Sequence, residues 1–382
     1  MKILQYFFLA SIAVAASACS DDEVPVISGS ESTEIGTDKA GNGGDYRGFY
    51  VLNEGNMGSN KCTLDYFDYN TGNYIRNVYA ENNPNQVLEL GDVGNDLAIY
   101  NGRLYVVVNG SHKIEVLDAA TAVRIGQVDI NSPREIAFVG DKAYVTSYVG
   151  GDNDLGTVVR VDLNSLKVDG TTTVGYNPEA ITLHEGKLFV ANSYNYGVGK
   201  YDNTVSVLDP STMKVDYTIA TDGLNLQDIV ADQFGQLWVS SLGNYADVAA
   251  KLIVLRKQED GHYAQQGMSL LGNYNGLTFY NDRIYYYQTT YDANYNATYR
   301  YGAIRPSTEL DNIGDSHFDI EDKEKIATPY FMTVNASTGD FFITDAKNYT
   351  SSGAIFCYDK DGKLKWSAKT GDIPGHIAFM PK

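Results

Sequence analysis

The chain has 382 residues, of which 29 are basic and 48 acidic, and its net charge of −19 disfavours nucleic acid as a partner. Its 30 tyrosines and 37 glycines, beside only 2 tryptophans, are typical of a protein of strands and turns. The composition excludes long disorder and coiled coil. Three cysteines are too few for a disulfide scaffold, and we expect Cys62 and Cys357 to be small apolar residues in strands.

The N-terminus has the pattern of a targeting segment. An apolar run over residues 3–18 follows Lys2 and ends at Cys19, a length that suits a signal peptide better than a membrane span. We predict a lipoprotein signal peptide over residues 1–18 and an acylated Cys19. The acidic run at residues 20–23 resembles the surface-export signal of lipoproteins from gut Bacteroidetes. Residues 19–47 lack periodicity and are predicted to be a flexible tether, so we expect a lipid-anchored protein of the outer membrane, exposed on the cell surface.

One structural unit recurs through the rest of the chain. It consists of an apolar strand, a tight turn, a second strand, a variable loop and a third strand that ends in Asp. Copies open 39 to 55 residues apart, at Leu97, Ile136, Ile181, Ile229, Leu277, Met332 and Ile377. Four short strands need about this length in a β-propeller blade.

Seven copies predict an all-β fold, a seven-bladed β-propeller of four-stranded antiparallel blades over residues 48–382. Residues 374–382 supply only a first strand, whereas residues 48–52 form a second strand that lacks a first. Pairing between these two segments would close the ring and leave no exposed edge at the seam. The stretch 307–324 in the sixth copy departs from the repeat.

The predicted loops divide unequally between the two faces of the propeller. Loops between second and third strands share one face and are mostly long, whereas turns on the opposite face, such as residues 101–102, are tight. Long loops on one face indicate binding, and tyrosines offer rigid, flat, amphipathic contact surface. We assign ligand binding to Tyr148, Tyr194, Tyr196, Tyr245, Tyr291, Tyr295 and Tyr349. The alternative is that tyrosines pad strand edges between blades.

Polar residues precede each first strand and should ring the mouth of the central channel on the long-loop face. These positions are Asn95-Asp96, Arg134-Glu135, Glu179-Ala180, Gln227-Asp228, Asn275-Gly276, Tyr330-Phe331 and Gly375-His376. From this ring we assign ligand binding to Asp96, Arg134, Glu135, Asp228, Asn275 and His376. The ring is otherwise the lining of a water-filled channel.

Catalytic motifs do not stand out. The sequence contains no zincin helix, nucleophile elbow or Walker loop, so we assign no catalytic residue, no metal ligand and no cofactor. The alternative is a metal-dependent hydrolase, similar to propeller lactonases, whose ion would be held by Asp96, Glu135, Asp228 and Asn275. We expect a binding protein rather than an enzyme.

The blade repeat, the Val-Leu-Asp-Pro-Ser-Thr hairpin at residues 207–212 and the lipoprotein leader resemble YncE-like seven-bladed propellers. Among surface lipoproteins of gut Bacteroidetes, the chain is most similar to the BtuG family. That resemblance implies capture of cobalamin, as a transported ligand, and delivery to a BtuB-type TonB-dependent transporter of the outer membrane. A surface glycan-binding protein is the second hypothesis because tyrosines also stack on sugars, although only Trp238 and Trp366 are available as tryptophan platforms.

Overall fold

The structure is a computed structural model that describes residues 31–86, 90–267, 269–309 and 313–382. The predicted signal peptide and Cys19 lie outside the described residues. Seven antiparallel sheets of four strands surround a central axis, which confirms the predicted seven-bladed propeller. We number the blades 1 to 6 in chain order, over residues 94–129, 133–173, 181–220, 226–271, 274–317 and 329–372. Blade 7 combines residues 46–75 with residues 374–381.

Each blade has its first strand nearest the axis and its fourth strand at the rim. The first strands of blades 1 to 7 are Gly94–Tyr100, Pro133–Val139, Ile181–His184, Leu226–Ala231, Tyr274–Tyr280, Pro329–Val334 and Pro374–Pro381. The second strands are Arg103–Val108, Lys142–Ser147, Lys187–Ala191, Leu237–Ser241, Arg283–Tyr291, Phe341–Asp345 and Tyr46–Asn53. The third strands are Lys113–Asp118, Thr157–Asp162, Thr204–Asp209, Lys251–Lys257, Ala297–Arg305, Ser352–Tyr358 and Thr63–Asp68. The fourth strands are Arg124–Asp129, Lys167–Thr173, Lys214–Ala220, Tyr263–Gln265, Gly314–His317, Leu364–Asp372 and Asn73–Ile75.

The remaining elements are short. Leu270–Leu271 pairs beside the fourth strand of blade 4, and Tyr194–Asn195 pairs with Lys200–Tyr201 in a separate hairpin. The described helices are Thr37–Ala40 and Val78–Asn82, with 3-10 turns at Asp152–Asp154 and Lys323–Lys325. None of the helices described is long and apolar enough to cross a membrane.

The ring closes as predicted from the sequence. Pro374–Pro381 pairs antiparallel with Tyr46–Asn53, with Ile377 opposite Val51. The first strand of blade 7 therefore comes from the C-terminus and its other three come from the N-terminal side. This exchange joins the two ends of the sheet array through main-chain hydrogen bonds and removes two edges at the seam.

The folded body includes residues 31–47, which fall within the predicted tether, and so extends ahead of residue 48. Ser32–Glu34 pairs with Asn73–Ile75 as a fifth strand at the rim of blade 7. Ala40, at the end of the first helix, is buried between blades 6 and 7. The rim strand offers unpaired main-chain groups, and this pairing covers them.

Seven hydrophobic clusters hold the described body together, one between each pair of neighbouring blades. Side chains of a strand alternate between its two faces, so each second strand serves two clusters. In blade 2, for example, Tyr144 packs toward blade 3 whereas Ala143 and Val145 pack toward blade 1. Cys62 and Cys357 are buried thiols in different clusters, as small apolar residues would be.

The aspartates that end the third strands shape the turns that follow. The Asp209 carboxylate accepts hydrogen bonds from the backbone N–H groups of Ser211 and Thr212 at 2.8 and 3.0 Å. Asp118 and Asp162 accept equivalent bonds in blades 1 and 2. Such bonds favour a tight hairpin, which explains the short turns on this face.

Candidate functional site

Five exposed tyrosines stand on the long-loop face, and we call them the tyrosine crown. Tyr196, Tyr245, Tyr291, Tyr295 and Tyr349 expose between 46% and 75% of their surface. Each lies at the end of a second strand or in the segment that follows it, in blades 3 to 6. The predicted tyrosines therefore lie mostly at the surface rather than as padding between blades, and exposed aromatic surface at this scale marks interaction sites.

Local pairing holds parts of the crown in place. In blade 5 the second and third strands extend beyond the blade, with Tyr291 opposite Ala297, so the predicted loop is a projecting hairpin. Thr289, Thr290 and Thr298 favour strand, which explains the difference. In blade 3, Tyr194 stacks on Tyr201 with ring centroids 4.2 Å apart and contacts the edge of Tyr196 at 4.7 Å.

A cavity of about 550 Å³ opens at the axis beside the crown, and we call it the well. Five carboxylates line it: Glu54, Asp96, Glu135, Glu179 and Asp228. Arg134, Tyr330, Phe331 and His376 also line it, so the well combines acidic groups with one cation and two aromatic rings. The predicted positions Asp96, Arg134, Glu135, Asp228 and His376 thus converge in one cavity.

Two of these carboxylates also join neighbouring blades. The Asp96 carboxylate accepts the backbone N–H of Ile136 at 2.9 Å, from blade 1 to blade 2. The Asp228 carboxylate accepts the N–H of Leu277 at 3.2 Å, from blade 4 to blade 5. These bonds fix the two carboxylates at the well wall because a buried N–H is costly to leave unpaired.

Arg134 is held by one wall of the well. Its guanidinium lies 2.9 Å from a Glu179 carboxylate oxygen and 4.7 Å from the ring centre of Tyr148, whose hydroxyl donates to the same carboxylate. Burial is the largest single influence on the pKa of Arg134 and would lower it, but Glu179, Tyr148 and Glu54 together raise that pKa above its ordinary value. The pair is therefore internally neutralised, and the cation is not free to hold an anionic ligand.

Burial sets the charge of the remaining groups. It raises the pKa of Glu54 to about 7, although the Tyr330 hydroxyl donates to that carboxylate at 2.9 Å. Burial also raises the pKa of Asp228 to about 6. The pKa of Glu135 is raised by burial and then by the nearby carboxylates, while that of His376 is lowered by burial. Near neutral pH the well therefore carries less charge than its composition implies.

Asn275 does not reach the well, contrary to the prediction. Its side-chain amide donates to the carbonyl of Asn273 at 3.0 Å. The pairing register of blade 5 shifts between Asn275 and Thr278, and Gly276 between them has a positive φ of 60°, so the strand turns the asparagine away. Among the described residues, no three His, Cys, Asp or Glu side chains are arranged to hold a metal ion.

Sequence analysis assigned no role to two residues that line cavities on the long-loop face, Glu54 and Asn177. Glu54 follows the second strand of blade 7, the position that Tyr148 occupies in blade 2, and this equivalence between blades is the signal that could have identified it. Asn177 lies before the first strand of blade 3, at a position for which the repeat pattern indicates no function. It lines a second cavity on the same face.

The family described as Domain of unknown function (DUF5074) has a model that matches residues 47–258. No curated protein matches the sequence. Solved propellers resemble the structure at low identity. A quinonprotein alcohol dehydrogenase-like protein from Bacteroides thetaiotaomicron VPI-5482 has a TM-score of 0.61 at 15% identity, covering 88% of this chain and 79% of that one.

Two further structures give the same result. A proposed 6-phosphogluconolactonase from Bacteroides uniformis ATCC 8492 has a TM-score of 0.58 at 12% identity, with coverage of 88% and 99% of the two chains. Hydrazine synthase from Kuenenia stuttgartiensis has a TM-score of 0.56 at 16% identity, with coverage of 72% and 81%. At these identities the likeness establishes the fold and leaves the activity to the site.

Proposed function

We propose that the chain, which belongs to the DUF5074 family, is a surface lipoprotein that captures a corrinoid such as cobalamin. The ligand binds to the long-loop face without chemical change. It then passes to a TonB-dependent transporter in the outer membrane.

The observation that carries this proposal is the tyrosine crown beside the well. Five exposed tyrosines from four consecutive blades form an aromatic rim, and a cavity of about 550 Å³ opens next to it. A broad ligand with an apolar face and a polar fringe would contact both. Tyrosines suit this task because they bury large area while losing few rotamers.

The chemistry of a corrinoid matches the two regions. Its ring carries methyl groups that suit aromatic faces, and its amide arms donate hydrogen bonds. Buried amides are costly without partners, and the carboxyl oxygens of Glu54, Glu135 and Glu179 supply acceptors at the well. Tyr194 and Tyr291 lie in paired strands, so little conformational entropy is lost when they bind a ligand.

The leader and the transporter complete the proposal. The segment before Cys19 supports lipid anchoring, which is tested by labelling cells with a palmitate analogue and comparing the protein with its Cys19→Ser variant. Delivery is tested by isolating the protein from outer membranes with cyanocobalamin present and absent. A TonB-dependent transporter should co-purify in at least one condition.

Binding is tested by titration calorimetry of residues 20–382 with cyanocobalamin. We expect saturable one-to-one binding that weakens in Tyr245→Ala and in Tyr194→Ala. Tyr217→Phe, on the opposite face, is a matched control that should bind as the wild type does. No heat and no co-elution of the coloured ligand would refute the proposal and favour a glycan, to be tested with an oligosaccharide panel.

A further inference from the structure

A second cavity of about 620 Å³ lies on the long-loop face, between the loops of blades 2 and 3, and we call it the groove. Val149 and Val198 line it and are each exposed by 40% or more. Tyr196 of the crown forms part of its rim. Among the described side chains, Asp154 is the one carboxylate that lines the groove, in contrast to the five carboxylates of the well.

Asn177 gives the groove an unused polar group. Its side chain is only 6% exposed and lines the groove, yet its amide makes no hydrogen bond with any part of the chain that the structure describes. An amide that opens onto a cavity and has no partner within the described chain is available to a ligand, which could satisfy both its donor and its acceptor. Asn177 also has a positive φ of 36°, a conformation in which asparagine is tolerated better than most residues.

A cation lies beside the groove, because Lys200 pairs with Asn195, one of the residues that line it, in the short hairpin of blade 3. The Lys200 ammonium lies 5.6 Å from the ring centre of Tyr176, the residue before Asn177. No carboxylate pairs with Lys200 within the described ranges, whereas Arg134 at the well is held by Glu179. An anionic group of a ligand would therefore be favoured at the groove side over the well, where Glu179 already neutralises the one cation.

The well and the groove share a wall. Tyr148 lines the groove, and its hydroxyl donates to Glu179, which lines the well. One ligand can therefore reach both cavities across Tyr148. The two cavities differ in chemistry, since five carboxyl groups line the well, whereas the groove combines apolar walls and the Asn177 amide with Lys200 beside it.

We infer that the groove is a subsite for the nucleotide arm of the corrinoid, an inference that rests on the proposed function. The heteroaromatic base packs against Val149, Val198 and Tyr196. The ribose hydroxyls pair with the Asn177 amide, and the phosphodiester faces Lys200. The corrin ring then lies over the crown and the well.

The test compares cyanocobalamin with dicyanocobinamide, which keeps the corrin ring and its amide arms but lacks the nucleotide. Wild type should bind cyanocobalamin at least about tenfold more tightly, as expected when several contacts are lost together. Asn177→Gly removes the amide and tolerates the positive φ, and Lys200→Gln removes an exposed charge. Each should weaken cyanocobalamin binding about fivefold and leave cobinamide binding within about twofold.

Two further variants separate the possible outcomes. Asn164→Ala, an exposed asparagine on the opposite face, should change neither affinity. Tyr245→Ala in the crown should weaken both ligands alike. Equal wild-type affinity for the two corrinoids, or equal losses for both in Asn177→Gly and Lys200→Gln, would overturn the subsite while leaving corrinoid capture intact. Failure to bind either corrinoid would overturn the proposed function and the subsite together.

Discussion

The carboxyl groups of the well and those of the tight turns on the opposite face behave in opposite ways. In the well, burial raises the pKa of Glu54, Glu135 and Asp228. In the turns, Lys187 and backbone N–H groups hold the pKa of Asp209 well below its usual range. Carboxyl groups therefore shape hairpins where solvent and cations surround them, whereas burial in the well shifts them toward the protonated, uncharged form.

The two faces also differ in their aromatic residues. The long-loop face carries the five tyrosines of the crown, whereas Phe234 is an exposed phenylalanine in a tight turn of blade 4 on the other face. One face thus has several exposed aromatic rings beside cavities, and the other has an exposed ring in a short turn. We attribute recognition to the first face and hairpin stability to the second.

The largest expected effect concerns the crown. The double variant Tyr245→Ala/Tyr295→Ala should lose about 100-fold in affinity for cyanocobalamin, because exposed aromatic anchors supply much of the binding free energy. Calorimetry measures the change. Phe234→Ala removes an aromatic residue of similar exposure from the opposite face and should bind normally. Equal losses in both variants would remove the distinction between the faces.

A smaller effect concerns the charge of the well. Burial raises the pKa of Glu54 to about 7 in the folded chain, above its ordinary value in the unfolded chain. At pH values between these two pKa values the folded chain binds more protons than the unfolded one, so the free energy of unfolding falls as pH rises. Glu54→Gln should therefore raise the melting temperature by roughly 2 °C at pH 8. Melting scans at pH 4.5 should show no difference between the two proteins. A lower melting temperature at pH 8 would show that the ionised carboxylate stabilises the fold.

The smallest effect concerns the turn after Asp209, where the pH dependence of stability is opposite to that at Glu54. The pKa of Asp209 is depressed in the folded chain, so its contribution is present above the unfolded pKa and is lost as pH falls through the folded one. Asp209→Ala should lower the melting temperature by about 1 °C at pH 7, since exposed ion pairs contribute little. The difference should shrink in scans at acidic pH. A larger difference at acidic pH than at neutral pH would contradict this account.

The fold was largely predictable because a blade is encoded locally. Each copy needs an apolar strand, a turn and a third strand ending in Asp, and the spacing of those signals sets the number of blades. The incomplete copies at the two ends predicted the pairing of Pro374–Pro381 with Tyr46–Asn53. The rim strand Ser32–Glu34 was not predictable in this way, because its three exposed residues carry no hydrophobic pattern.

The site was predictable in position and less so in detail. Position in the repeat placed Arg134, Glu135 and His376 at the well. It could not show that a register shift turns Asn275 aside, because a bulge depends on pairing with the next strand. Nor could it identify Asn177, because its low exposure and the absence of a hydrogen bond to its amide within the described ranges have no counterpart in the sequence pattern.

Hydrogen–deuterium exchange of residues 20–382, with and without saturating cyanocobalamin, tests most directly which face binds the ligand. We expect added protection in residues 193–203, 242–250 and 289–299 of the long-loop face. The tight turns at residues 101–102, 185–186 and 209–213 should be unchanged. Protection confined to those turns, or unchanged exchange on both faces, would contradict the assignment of ligand binding to the long-loop face.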